Sequence, residues 1–282
     1  MAEPAAVDRP AGRWRWPPLL QASVAGHGGA ALLAAWEPRA WPWILAAVVA
    51  DHALISAAGL WPRSNWLGAN LTRLPAASAR RGEVALTIDD GPDPEVTPRV
   101  LELLRAAGVR ATFFCIAARA RAHPDVVREI VRQGHSVQNH SESHRHDFSL
   151  LGPAAMAREI AAAQSSLQEL AGEAPRFFRA PAGLRNPFLD PVLHRMRLRL
   201  ASWTRRGFDT RASDPRRVLA RLTRGLAAGD ILLLHDGHAA RCADGGPVIL
   251  AVLPPLIEAC RAARLVPVTL PHAMDDGAAD MP

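Results

Sequence analysis

From residue 83 to about residue 270, short apolar runs alternate with segments of helical period, and this alternation constrains the fold more than any other feature. The predicted strands are 83–89, 110–116, 136–140, 176–179, 198–203, 230–235 and 265–270. Between them, 96–107, 125–133, 154–170, 191–197, 214–226 and 248–263 carry helical patterning. Strand and helix in regular succession imply parallel strands with helical crossovers, and seven such units close most economically as a barrel. Barrels of this kind place their active sites at the C-terminal strand ends. Asp89, Asp90, His140, Arg179 and His235 all fall at those ends.

The N-terminal part is different. Seven of the eight tryptophans (Trp14, Trp16, Trp36, Trp41, Trp43, Trp61 and Trp66) bracket two apolar stretches, 19–36 and 41–61. Each falls within the roughly 17 to 25 residues that cross a hydrocarbon core, and tryptophans at both ends suit interfacial belts. Residues 1–62 therefore read as a helical hairpin that anchors the chain in a membrane, against a signal peptide in the first stretch or a pair of amphipathic helices packed on the soluble domain. Gln21, His27, Asp51 and His52 interrupt its apolar character. Residues 63–82 lack periodicity and read as a linker or edge segment, 83–273 as the catalytic domain and 274–282 as a tail.

The chain has a formal net charge of +6, and because it lacks lysine, all the basic charge is arginine. The arginines are scattered, with no aromatic-interleaved stripe, so nucleic acid is not an expected partner. Cys115, Cys242 and Cys260 lack the spacing of a zinc knuckle or a disulfide framework.

Four short strings supply reactive side chains: Thr87-Ile88-Asp89-Asp90-Gly91, His140-Ser141-Glu142-Ser143-His144, Arg179-Ala180-Pro181-Ala182-Gly183 and Leu232-Leu233-Leu234-His235-Asp236. Consecutive carboxylates at a strand end point to different partners, so one can bind a metal while the other takes a proton. Four-residue spacing brings two imidazoles to one face of a helical turn, where they can share a cation. Spacing alone also admits His144 with His146 or His135 with His140. Two histidines and a carboxylate leave positions open on a divalent transition metal, zinc above all. Arg179 ends the apolar Phe177-Phe178 run before a Pro/Gly loop, which aims it into the site. Asp209 divides evenly between a solvated loop acid and a partner for His235. A histidine, with an ordinary pKa near 6.5, is a natural proton donor to a departing amine.

The order and spacing of these strings resemble the carbohydrate esterase family four polysaccharide deacetylases and their NodB homology domain. The resemblance implies a distorted, incomplete (β/α)7 barrel. It makes Asp89 the general base, Asp90, His140 and His144 the metal ligands, and Arg179 the holder of Asp89. It also gives an oxyanion-binding N–H at Ala182, a His235 oriented by Asp209, and Leu234 lining an acyl pocket. Two positions depart from the family pattern: Ala182 stands where an aromatic is usual, and Thr210 where a tryptophan is common.

The expected activity is removal of an N-acetyl or similar small acyl group from an amino-sugar polysaccharide or oligosaccharide. Alternatives are a lipid-linked amino sugar as substrate, and a catalytically silent membrane-attached binding protein. Arg9, Arg13 and Arg15 before the hairpin, and Arg63, Arg73, Arg80 and Arg81 after it, place both flanks in the cytoplasm of a bacterial cell by the positive-inside rule. The catalytic domain would then lie at the inner face of the inner membrane.

Overall fold

β1 (Glu83–Asp89) runs through the centre of an eight-stranded sheet, and all seven of its residues are buried. In this computed structural model, which describes residues 13–275, its neighbours are β2 (Thr112–Cys115), β3 (Ser136–Asn139), β4 (Phe177–Phe178), β5 (Arg199–Leu200), β6 (Arg205–Arg206), β7 (Ile231–His235) and β8 (Val266–Val268). Arg9 and residues 276–282 lie outside the described residues. The order is β5-β4-β3-β2-β1-β7-β6, with every strand pair parallel. One edge of β1 is divided: Glu83–Ala85 pair with β8, and Thr87–Asp89 with β2. The other edge pairs with β7 from Ala85 opposite Ile231 to Asp89 opposite His235.

This is the incomplete (β/α)7 barrel, with the opening between β5 and β6. β6 is a strand beyond the seven expected, and at two residues it is too short to show alternation. The segment 63–82, expected as a linker or edge segment, folds against that opening as an edge segment. The Leu71 N–H donates to the Leu200 carbonyl, the Ser202 N–H to the Leu71 carbonyl, and the Thr204 hydroxyl to the Thr72 carbonyl. Leu74 is buried with strand residues, and Ala76–Arg80 is a short helix. Too few residues face the core here for a period to show in the sequence.

Strand alternation splits the core into two layers. Val84, Leu86, Ile88, Leu232 and Leu234 pack outward under the helices, while Ala85, Phe114, Phe177, Ile231 and Leu233 face the barrel interior. The helix Val96–Ala107 closes the outer layer with Val100, Leu101 and Leu104, and ends on Gly108 in the left-handed conformation that suits glycine.

α1 (Pro18–Trp36) and α2 (Trp41–Leu60) form the expected hairpin through a turn at Pro38–Ala40. Among the described residues one segment, Pro38–Leu60, is long and apolar enough to cross a membrane. Gln21, Ser23 and His27 make α1 less apolar than α2. Ser23 Oγ donates to Asp51 at 2.7 Å and His27 lies 3.9 Å from the same carboxylate, so the polar groups of the two helices meet each other. Leu20 and Ala58 pack on the fully buried Leu67. Leu67→Ala should cost about 2–5 kcal/mol, read as a lower denaturation midpoint. A loosely tethered linker would give no change.

Candidate active site

The parallel register brings the C-terminal ends of β1, β3, β4 and β7 to one rim, where Asp89, Asp90, His140, His144, Ala182 and His235 line a cleft of about 270 Å³. Asp89 stands opposite both Phe114 and His235 in the sheet.

Arg179 is 1% exposed. Its Nη1 donates to Asp89 Oδ1 at 2.6 Å and to the Thr87 hydroxyl at 2.9 Å. Its Nε and Nη2 donate to the Ala201 and Ser202 carbonyls, and its guanidinium lies 4.0 Å above the centre of the Phe114 ring. Burial pulls its pKa below the ordinary arginine value against the opposing effect of Asp89.

Asp90, the next residue, adopts φ 74°, a left-handed conformation that a non-glycine residue enters at a cost. Its Oδ1 lies 3.2 Å from His140 Nε2 and 3.2 Å from His144 Nε2. Burial would raise its pKa, but hydrogen bonds to His140 and His238 outweigh that and hold it well below the carboxylate range.

The loop from His140 to His144 is not the helical turn that the spacing suggested. Ser141 (φ 66°) and His144 (φ 50°) are left-handed, and the loop is closed by Asn139 Oδ1 accepting from the Ser141 N–H and Ser141 Oγ accepting from the His144 N–H. The rings still converge, with centroids 4.8 Å apart. His140 donates Nδ1–H to the Arg179 carbonyl at 2.8 Å, which leaves Nε2 facing Asp90. Burial, with repulsion from His140, pushes His144 down to about 4, so its imidazole is neutral at physiological pH.

His235 and Asp209 come together as expected: Nδ1 lies 2.9 Å from Asp209 Oδ1, and the His235 N–H donates to Asp209 Oδ2 at 2.7 Å. Burial alone would lower the His235 pKa, but the hydrogen bond and charge of Asp209 raise it. Asp209 is fully buried, which removes the solvated-loop reading. In the Pro181–Gly183 turn Ala182 has φ 55°, and its N–H has no backbone acceptor among the described residues.

Leu234 is not in the cleft. Alternation turns it outward into the helix-covered layer, and Leu233, on the same face as His235, lines the cleft in its place. Sequence reasoning also missed His238, whose Nδ1 lies 3.0 Å from Asp90 Oδ2 while its Nε2 meets Arg119. Its signal was an adjoining glycine: a Cβ on Gly237 would lie 2.1 Å from the Asp90 carbonyl oxygen. His135, one of the alternatives, hydrogen-bonds the Ala111 N–H away from the cleft, and His146 lines its edge.

The residues present fit a divalent cation. One carboxylate oxygen of Asp90 and one ring nitrogen each from His140 and His144 lie within 4.8 Å of one another, and the His140 ring is oriented through its other nitrogen.

Residues 76–201 match the family model described as polysaccharide deacetylase. The chain is 33% identical over 158 residues to the chitooligosaccharide deacetylase of Azorhizobium caulinodans, covering 56% of this chain and 75% of that protein. It is 40% identical over 103 residues to a peptidoglycan-N-acetylglucosamine deacetylase of Bacillus cereus, covering 36% of this chain and 37% of that protein. A family 4 carbohydrate esterase from Streptomyces lividans, solved with acetate, superposes with a TM-score of 0.60 at 32% identity over 66% of this chain and 91% of that one. A family 4 pseudoenzyme from Bacillus anthracis, with a TM-score of 0.65 at 21% identity over 74% of this chain and 69% of that one, shows the fold alone. The chain belongs to the polysaccharide deacetylase family, the NodB or carbohydrate esterase 4 group.

Removing one partner of a buried ion pair leaves the other charge stranded. Arg179→Met should therefore destabilise the protein by about 3–5 kcal/mol in a denaturant titration, and a loss below about 1 kcal/mol would contradict this account of the pair.

Proposed function

We propose that the protein is a metal-dependent hydrolase that removes an N-acetyl or similar small acyl group from an amino sugar of an oligosaccharide or polysaccharide. The observation that carries this reading is the meeting of three metal-ligand atoms with two separately held proton-transfer groups, Asp89 on Arg179 and His235 on Asp209. A purely binding module has no use for that whole set.

Asp90, His140 and His144 would hold the cation, and zinc suits two imidazoles and one carboxylate. When bound, it supplies Lewis acidity toward water and the amide carbonyl. Asp89, with Oδ1 fixed by Arg179, takes the proton of the attacking water on its other oxygen. The N–H of Ala182 donates to the oxygen that gains charge as the carbonyl carbon becomes tetrahedral. Asp209 fixes Nδ1 of His235, so Nε2 delivers a proton to the nitrogen as the C–N bond breaks. Acetate and a free amine result. Leu233 takes the acyl-pocket role first given to Leu234. We assign α2 as a membrane anchor; the arginines of 63–81 that follow it keep the catalytic domain on the cytoplasmic side.

His235→Ala should keep a full complement of bound metal while slowing acetate release by about 10²- to 10⁴-fold. Asp90→Ala and His140→Ala should lose metal and activity together, by elemental analysis beside the assay. Equal metal loss in all three variants would sink the role assignment. Wild-type protein that carries metal but releases no acetate from N-acetylated oligosaccharides would favour the silent binding protein.

The raised His235 pKa also has a sign. A donor must be protonated, so the rate falls as pH rises through its pKa, which sets the basic limb of the profile. Asp209 raises that pKa, so Asp209→Asn should move the basic limb to lower pH, and an unmoved limb would refute the pairing.

A further inference from the structure

A second cleft, of about 540 Å³, adjoins the candidate active site. Trp203 and Arg206 line both, so the two share a wall. At its other side the cleft is lined by Trp61, the residue that directly follows α2. It therefore lies between the acyl-transfer residues and the base of the apolar helix.

Five arginines line it: Arg63, Arg205, Arg206, Arg221 and Arg224. Arg205 is held by Asp230. None of the other four meets a carboxylate among the described residues, whereas Arg128, Arg132, Arg145 and Arg261 elsewhere on the surface each do. Among the described residues Arg63 and Arg221 donate to the carbonyls of Thr204 and Gly207. The Nε of Arg206 is buried without a partner. Aromatic faces hold the guanidiniums: Arg206 lies 5.3 Å from the Trp203 ring and 5.1 Å from Phe208, and Arg221 lies 5.3 Å from Phe208. Four uncompensated cations around one cleft repel one another and concentrate a positive potential there. A ligand bearing several negative oxygens relieves that repulsion, and guanidinium forks match phosphate geometry. A neutral oligosaccharide brings no charge to meet them.

We propose that this cleft is a subsite for a phosphate or diphosphate ester joined to the amino sugar. The substrate is then a phosphate-linked N-acyl amino sugar carried at the membrane, its lipid tail beside α2 and its acyl group in the catalytic cleft. The proposal rests on the deacylase reading above. An anionic membrane lipid offers the same phosphate chemistry, so the test separates the two.

The full chain, metal-loaded in neutral detergent, is assayed on N-acetylglucosaminyl-diphospho-farnesol and on triacetylchitotriose. The specificity constant should favour the diphosphate by at least about tenfold, and Arg206→Gln with Arg224→Gln should reduce that ratio at least about tenfold. Arg224→Gln alone, at another side chain lining the cleft, serves if the double variant misfolds, and should lower the same ratio. Equal specificity constants in the wild type, or an unaltered ratio in a folded variant, would overturn the subsite while leaving the deacylase intact. Phosphatidylglycerol displacing the diphosphate as well as the unlabelled substrate does would overturn it in favour of a lipid headgroup. If neither compound is hydrolysed, the deacylase reading falls, and fluorescence of Trp61 and Trp203 decides the subsite separately. Saturable quenching by the diphosphate that weakens in the variant supports it, and no quenching overturns it.

Discussion

The guanidinium of Arg179 is the group on which the rim of the barrel depends. Removing a cation from water costs several kcal/mol unless its donors are satisfied, and here Thr87, Asp89, Ala201 and Ser202 all accept from it while Phe114 covers one face. Those acceptors lie on β1 and on the chain leaving β5, and Arg179 itself leaves β4. One side chain therefore ties β1 to β4 and to the end of β5, neither of which β1 neighbours in the sheet. Its backbone carbonyl also orients His140. The same residue thus fixes the Asp89 carboxylate through its side chain and the His140 imidazole through its main chain, so the two cannot shift independently.

What could be read from the sequence followed from period and from strand ends. Most strands and helices were visible because β1 and β7 are short, mainly apolar runs and helices such as Val96–Ala107 repeat their buried positions at helical spacing. The site residues at strand ends needed only that register. The failures share one cause, which is that local pattern does not report tertiary contact. β6 and the segment through Leu71 and Leu74 have too few buried residues to show a period. The spacing of His140 and His144 suggested a helical turn, but left-handed Ser141 and His144 bring the rings together by another path. Leu234 was misplaced by a single residue, which on a strand means the opposite face.

Arginine composition shows the same limit in another form. Along the chain Arg63, Arg206, Arg221 and Arg224 belong to three separate segments and read as diffuse basic charge. The fold collects them because the segment after α2 seals the opening beside β5, β6 forms the opposite edge, and the helix Pro215–Thr223 covers β6. Distance in sequence thus hid a concentrated field that exists only once the barrel is left open at this point.

Ala182 and Thr210, the two departures from the family pattern, line the candidate active site that shares a wall with the arginine-lined cleft. An aromatic at the Ala182 position and a tryptophan at the Thr210 position would present flat apolar faces to a sugar chain, whose rings stack on such surfaces. In this protein Ala182, Thr210, Arg206 and Arg211 line that wall of the cleft instead. This wall offers little stacking area, and Arg206 and Arg211 place guanidinium groups on it. Charge is longer-ranged and less dependent on shape, so such a wall would suit the phosphate-linked substrate proposed above. The catalytic set needs no alteration for this, because Asp89, Asp90, His140 and His235 are held from the sheet side, opposite the wall that has changed.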